Sequence, residues 1–180
     1  MGGDRAVNIL VLGGARSGKS RYAQARCEAL SGGLAYIATA EAHDGEMADR
    51  IARHRADRGQ RWRTVDAPID LPGAIRSSSE WAGAILVDCL TLWLSNLMLA
   101  DKDIAVWSAK LADALQSCAV PVMLVSNEVG LSIVPENALA RRFRDEAGWL
   151  NQQMAARCDE VIFVAAGLPL TLKEAASPAA

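Results

Sequence analysis

The chain is poor in the features that most quickly assign a protein to a specialised class. Its four cysteines, Cys27, Cys89, Cys118 and Cys158, are scattered and form no C-x-x-C pair, so neither a disulfide framework nor a zinc ribbon is expected, and they read as reduced structural thiols of a cytoplasmic protein. Charge of one sign is also lacking: 19 basic residues against 21 acidic ones give a net charge of -2, which provides no global footprint for nucleic acid or an anionic membrane. There is no uninterrupted apolar run of membrane-spanning length. The most apolar stretch, residues 82–100, is broken by Asp88, Thr91, Ser95 and Asn96 and divides into a strand and a helix. Met1-Gly2-Gly3-Asp4-Arg5 lacks an apolar signal core, so secretion is not expected, and the M-G start does not complete a myristoylation pattern. What the chain does have is apolar content: 51% of 180 residues, enough for one domain with a two-faced core.

The most specific local signal is Gly13-Gly14-Ala15-Arg16-Ser17-Gly18-Lys19-Ser20, which satisfies G-x-x-x-x-G-K-[ST] at every required position. Glycines let backbone N–H groups close around phosphate oxygens, Lys19 reaches the outer phosphates, and the Ser20 hydroxyl helps hold magnesium. The context agrees: Ile9-Leu10-Val11-Leu12 precedes it as a buried strand, and residues 21–30 follow without proline or glycine, so a helix can start at the loop. A dinucleotide fingerprint fits less well, because Ala15 stands where its second glycine belongs.

Five short apolar runs, residues 7–12, 34–38, 84–87, 120–125 and 161–165, alternate with helical patterns, which predicts an α/β domain with a mostly parallel sheet and helices on both faces. A helix beginning near Pro135 carries the apolar stripe Leu139, Phe143, Ala147, Leu150 and Met154. Ser77-Ser78-Ser79 reads as a loop, and residues 174–180 as a frayed tail of this single domain. Ala84-Ile85-Leu86-Val87-Asp88 ends a buried strand on a carboxylate. That suits either a magnesium or nucleotide contact or a cap for the next helix. Ser126-Asn127-Glu128 emerges at the end of another strand, where ligands of open α/β sheets bind, although capping and turn chemistry account equally well for Ser126 and Asn127.

Between the second and third runs lie Glu46, Met47, Arg50, Ile51, Arg53, His54, Arg55 and Arg58, in a helix-compatible stretch. Arginine forks suit phosphate oxygens, and a cluster of guanidinium groups favours the neutral, nucleophilic imidazole of His54. A solvated charged helix explains the same residues without chemistry. His43, the other histidine, sits beside Asp44 and Glu46.

Taken together, several segments resemble one family, the bifunctional adenosylcobinamide kinase and adenosylcobinamide-phosphate guanylyltransferase of cobalamin biosynthesis. The phosphate loop through Arg21, Tyr36-Ile37-Ala38-Thr39-Ala40, Glu46-Met47 with Arg50-Ile51 and His54, Trp62-Arg63-Thr64, Val125 to Gly130, Ile133 to Asn137, Phe143-Arg144-Asp145, and Gly148 with Asn151-Gln152 carry the likeness, in the same order along nearly the whole chain. The resemblance implies a RecA-like fold, GTP and ATP as nucleotides, Mg2+, a corrinoid substrate and a homo-oligomer; the near-neutral charge points to no nucleic-acid partner. By position it makes His54 the residue that takes GMP from GTP and residues 13–20 the triphosphate cradle. Ala38, Thr39, Ala40, Arg55, Ala56, Asp57, Arg58, Asp66 and Asp88 are implied as further guanine-nucleotide contacts. At Asp88 relatives also carry the longer glutamate, which leaves guanine recognition and magnesium binding both open. A kinase for another small metabolite and a non-catalytic nucleotide sensor remain the competing readings.

Overall fold

The computed structural model describes residues 6–40 and 59–175. Along these residues run β1 (Ile9–Gly13), α1 (Lys19–Glu28), β2 (Leu34–Ala38), β3 (Trp62–Asp66), α2 (Leu71–Ser79), β4 (Ala84–Asp88), α3 (Leu90–Leu99), α4 (Ile104–Ser117), β5 (Val122–Asn127), α5 (Ala138–Arg157), β6 (Glu160–Ala165) and β7 (Leu168–Lys173). The strands form one seven-stranded sheet in the order β3-β2-β4-β5-β1-β6-β7. All pairings are parallel except β6 with β7.

Parallel strands buried on both faces need apolar side chains pointing both ways, and the alternation sorts them into two cores. Ile9, Val11, Leu34, Leu86, Met123 and Val125 point to one face and pack with Ala23 and Cys27 of α1. Leu10, Ile37, Ile85, Val87 and Leu124 point to the other, against Ile75 of α2, Trp93 of α3, Leu111 of α4 and Leu150 of α5. Trp93 is fully buried, and its indole N–H donates to the Ile69 carbonyl at 2.8 Å, so its burial leaves no unpaired donor. Three helix starts are capped locally: Asp70, Asp103 and Asn137 accept from Gly73, Val106 and Ala140 backbone N–H groups.

Several expectations about element limits are corrected. The helix expected near Pro135 starts at Ala138, because Asn137 provides the cap, and its first stripe residue, Leu139, is exposed. Ser77, Ser78 and Ser79 lie within α2 rather than in a loop; Ser77 and Ser79 hydroxyls bond back to carbonyls one turn earlier. Two strands had no apolar-run signal. β3 is a polar edge strand, and β7 carries Pro169, which an edge tolerates. Ala166 and Gly167, both at positive φ, form the tight turn into β7 without the Asn-Gly signature that would announce it.

All four cysteines are free, and three are buried. Burial pushes the thiols of Cys27 and Cys158 up to about 12 and that of Cys89 up to about 11. In the unfolded chain these groups ionise near their ordinary value, so the folded state holds protons that the unfolded state has lost. This contribution to stability is present below pH 9 and is lost as pH rises from there towards 12, at about 1.4 kcal/mol per thiol and pH unit. Thermal melts between pH 7 and 11 should therefore show a steep alkaline fall, less steep in Cys27→Ala. A flat profile would refute the burial argument.

Candidate nucleotide site

β1 delivers the chain into the loop at Gly13, where a Cβ would come within 2.5 Å of the Val164 carbonyl oxygen and 2.6 Å of Ser17 Oγ. Gly18 adopts φ 97 and starts α1, whose first turn contains no acidic residue. The positive end of the helix therefore faces the loop without a carboxylate from its own first turn. Lys19 is 7% exposed, and its Nζ donates to the Gly14 carbonyl at 3.0 Å, which holds the ammonium over the loop. Ser17 Oγ is buried without a hydrogen-bond partner among the described residues. Two neighbours brace the loop: Glu128 N–H donates to the Gly13 carbonyl at 3.1 Å, and Gly167 N–H donates to the Ser17 carbonyl at 2.8 Å.

The strand register gathers the other predicted residues at the same edge. Gly13 pairs with Asn127, Asp88 with Val125, and Ala38 with both Asp88 and Asp66. Strand alternation further places Gly13, Asn127, Asp88, Ala38 and Asp66 on the face covered by α1, since they continue the parity of Ile9, Met123, Leu86, Leu34 and Trp62. The row is stepped, since Asp88 pairs with Val125 and so lies two residues short of the level of Gly13 and Asn127. With strands about 4.8 Å apart, it runs about 20 Å from Gly13 to Asp66, the length of an extended nucleoside triphosphate.

Asp88 is half-buried and accepts from the Tyr36 hydroxyl at 3.2 Å through Oδ2. It is not the cap of α3, a position taken by Cys89. Thr39 is fully buried: its hydroxyl donates to the Cys89 carbonyl at 2.7 Å and accepts from Cys89 N–H at 2.8 Å. That side chain stitches the exit of β2 to the start of α3, and the Thr39 main chain is engaged as well: its N–H donates to the Asp88 carbonyl at 3.3 Å and its carbonyl accepts from Asn96 Nδ2 at 2.7 Å. The Glu128 carboxylate accepts from Gly130 N–H at 2.7 Å and shapes its own turn. His43, His54, Arg55, Ala56, Asp57 and Arg58 lie outside the described residues.

Sequence reasoning missed the buried polar group beneath the β5 end. Ser126 donates to Asn151 Oδ1 at 2.7 Å and lies 3.4 Å from Thr91 Oγ1, which also accepts from Asn127 N–H at 2.7 Å. Thr91 and Asn151 sit on helices far apart in sequence; Thr91 is signalled as a polar residue in an otherwise apolar segment, whereas Asn151, on the polar-rich α5, is signalled only by the family resemblance.

The residues present fit a polyphosphate: a buried ammonium, an orphaned hydroxyl and an uncompensated helix N-terminus converge on one loop. They also fit a hard cation, with Ser20 in the first turn of α1 and Asp88 across the edge. Among the described residues no cluster of three His, Cys, Asp or Glu side chains could hold a metal unaided. Such a cation would share its shell with phosphate oxygens, as Mg2+ does.

A family model described as cobinamide kinase / cobinamide phosphate guanyltransferase matches residues 9–172. The chain is 52% identical over 167 residues to the bifunctional adenosylcobalamin biosynthesis protein CobP of Pseudomonas aeruginosa, covering 91% of this chain and 96% of that protein. It is 43% identical over 180 residues to the corresponding protein CobU of Escherichia coli, covering 92% and 99%. Among solved structures, the flagellar accessory protein FlaH from Methanocaldococcus jannaschii superposes with a TM-score of 0.51 at 13% identity, over 99% of this chain and 84% of that one. The RadB recombinase does so with 0.50 at 16%, over 90% and 76%. These two likenesses concern the fold, which is the RecA-like P-loop arrangement.

Proposed function

The chain belongs to the cobinamide kinase / cobinamide phosphate guanyltransferase family, and from that premise we propose how its residues divide the two reactions. The protein is a bifunctional transferase of adenosylcobalamin biosynthesis. In the first reaction a hydroxyl oxygen of the corrinoid's side arm attacks the γ-phosphorus of ATP or GTP, and the bond to the β,γ-bridging oxygen breaks. In the second, a nitrogen of neutral His54 attacks the α-phosphorus of GTP. An N–P bond forms, the α,β-bridging P–O bond breaks, and pyrophosphate leaves with the electron pair. An oxygen of the corrinoid phosphate then attacks the same phosphorus, the N–P bond breaks, and the histidine is regenerated.

The observation that carries this reading is the alignment on one edge and one face of the phosphate loop, Asp88, Ala38 and Asp66, a row long enough for a triphosphate with its nucleoside. The loop and Lys19 hold the outer phosphates. Ala38 to Ala40, Arg55 to Arg58, Asp66 and Asp88 supply the nucleoside contacts. Ser20 would hold Mg2+, with Asp88 where its carboxylate does not read guanine, and the ion would supply charge neutralisation on the phosphates. Positioning and electrostatic stabilisation do most of the remaining work. Incubation with α-labelled GTP followed by peptide mass spectrometry tests the proposal: one GMP on His54, acid-labile and alkali-stable, is expected. No label, or label elsewhere, overturns it.

Asp88→Asn keeps the shape of the side chain and its contact with Tyr36 while removing the charge. It should weaken nucleotide or Mg2+ binding with little change in Tm. Loss of GTP-over-ATP preference would assign guanine recognition, whereas an equal loss rescued by excess Mg2+ would assign metal support. Unchanged affinity and metal dependence would remove Asp88 from the site. We assign the protein to a homo-oligomer as well: Leu131, Ile133 and Val134 beyond β5, and Leu168, Leu170 and Leu172 on β7, are exposed apolar side chains that assembly would cover.

A further inference from the structure

Asn127 stands between the two parts of the site that motif reasoning identifies. Its strand lies between β1, which carries the phosphate loop, and β4, which ends in Asp88. Its side chain shares the α1 face with both: it pairs directly with Gly13, one strand spacing of about 4.8 Å away, and lies two residues beyond Val125, the partner of Asp88, on a diagonal of about 8 Å. The main chain at this residue is held with unusual care. Its N–H donates to Thr91 Oγ1 at 2.7 Å, its carbonyl accepts from Asn151 Nδ2 at 3.4 Å, and the next N–H is tied to Gly13. Thr91, Ser126 and Asn151 are each buried to make this clamp, although buried polar groups lower stability unless fully paired.

The side-chain amide receives no comparable anchor. Its Nδ2 leans towards β4, where among the described residues it meets only Cys89 Sγ at 4.0 Å, and a thiol is a weak acceptor. A half-buried carboxamide with two donors has thus been fixed in place at the edge, with its hydrogen-bonding capacity largely unspent. We propose that Asn127 is a phosphate-contacting residue for the kinase reaction: Nδ2–H donates to an oxygen of the γ-phosphoryl group as it passes to the corrinoid hydroxyl. A neutral donor suits this place, because it stabilises charge gathering on the transferred group without competing with Asp88 for a cation.

The inference rests on the two-reaction reading above and predicts a particular asymmetry. In phosphoryl transfer the γ-group is the reacting centre, whereas in guanylyl transfer it is the distant end of the departing pyrophosphate. Asn127→Ala should therefore lower kinase kcat by about a hundredfold, the usual cost of losing one oriented donor. KM for the nucleotide and the rate of GMP incorporation should stay within a few-fold of wild type. Folding should be preserved, because Thr91 and Asn151 grip the backbone of residue 127 and not its side chain. Asn127→Asp, which keeps the volume but replaces the donor with a charged acceptor, should reduce kinase kcat at least as far.

The experiment measures phosphorylation of adenosylcobinamide, GMP incorporation from labelled GTP and Tm for the wild type and both variants. A selective loss of kinase kcat at unchanged Tm is the expected result. Kinase kcat within threefold of wild type in Asn127→Ala, or parallel loss of both activities, overturns the assignment. Failure of the two-reaction reading is distinguishable, since the wild-type protein itself would then phosphorylate no corrinoid or take up no GMP.

Discussion

Lys19→Ala is expected to abolish both activities while leaving the fold in place. One phosphate loop serves the triphosphate in each reaction, so both depend on the same ammonium. In the structure that group contacts the Gly14 carbonyl and no carboxylate among the described residues. Its removal therefore leaves no buried countercharge, and alanine is well suited to the first turn of α1. The lost contact is worth about 1.5 to 3 kcal/mol in the ground state. A larger loss follows as charge moves onto the leaving oxygens, so turnover should fall by about a thousandfold or more. Corrinoid phosphorylation, GMP incorporation and a thermal melt together check this. Full turnover by a folded variant would show that the loop holds no phosphates.

His54→Ala is expected to divide the enzyme. GMP attachment and guanylyl transfer should disappear, because no other group replaces the nucleophilic nitrogen, whereas corrinoid phosphorylation should continue at a substantial rate. Transfer of a γ-phosphoryl group to a hydroxyl needs no protein nucleophile and proceeds through positioning and charge stabilisation. His43→Ala should retain both activities, since its acidic neighbours favour the imidazolium, which has no free lone pair. Label on His43, or wild-type GMP incorporation by His54→Ala, would sink the assignment. With Asn127→Ala, the two substitutions should split the reactions in opposite senses.

Strands flanked by edge position were the hardest elements to read. β3 and β7 receive one neighbour each, so neither needs the continuous apolar run that marked β1, β4 and β5. Their polar or proline-containing sequences are compatible with loops until the sheet recruits them. The β5 end was read only in part. From the sequence, capping and ligand contact account equally well for Ser126 and Asn127. Folding gives Ser126 an internal partner on α5, while Asn127 keeps its amide at the edge. Thr39 likewise looked like a nucleotide contact, and its hydroxyl is instead closed on Cys89. In both cases the deciding partner lies at least 25 residues away, beyond the reach of local pattern.

By itself the sequence determined the phosphate loop and the α/β class. Both are local matters: eight consecutive residues specify the loop's glycine conformations and the lysine's reach, and an uninterrupted apolar run of about five residues specifies a strand buried on both faces. The tertiary structure alone decided that Gly13, Asn127, Asp88, Ala38 and Asp66 form one row on the α1 face. That row depends on the register and parity of strands whose neighbours are distant in sequence. A shift of one residue in any pairing would turn the side chain to the opposite face.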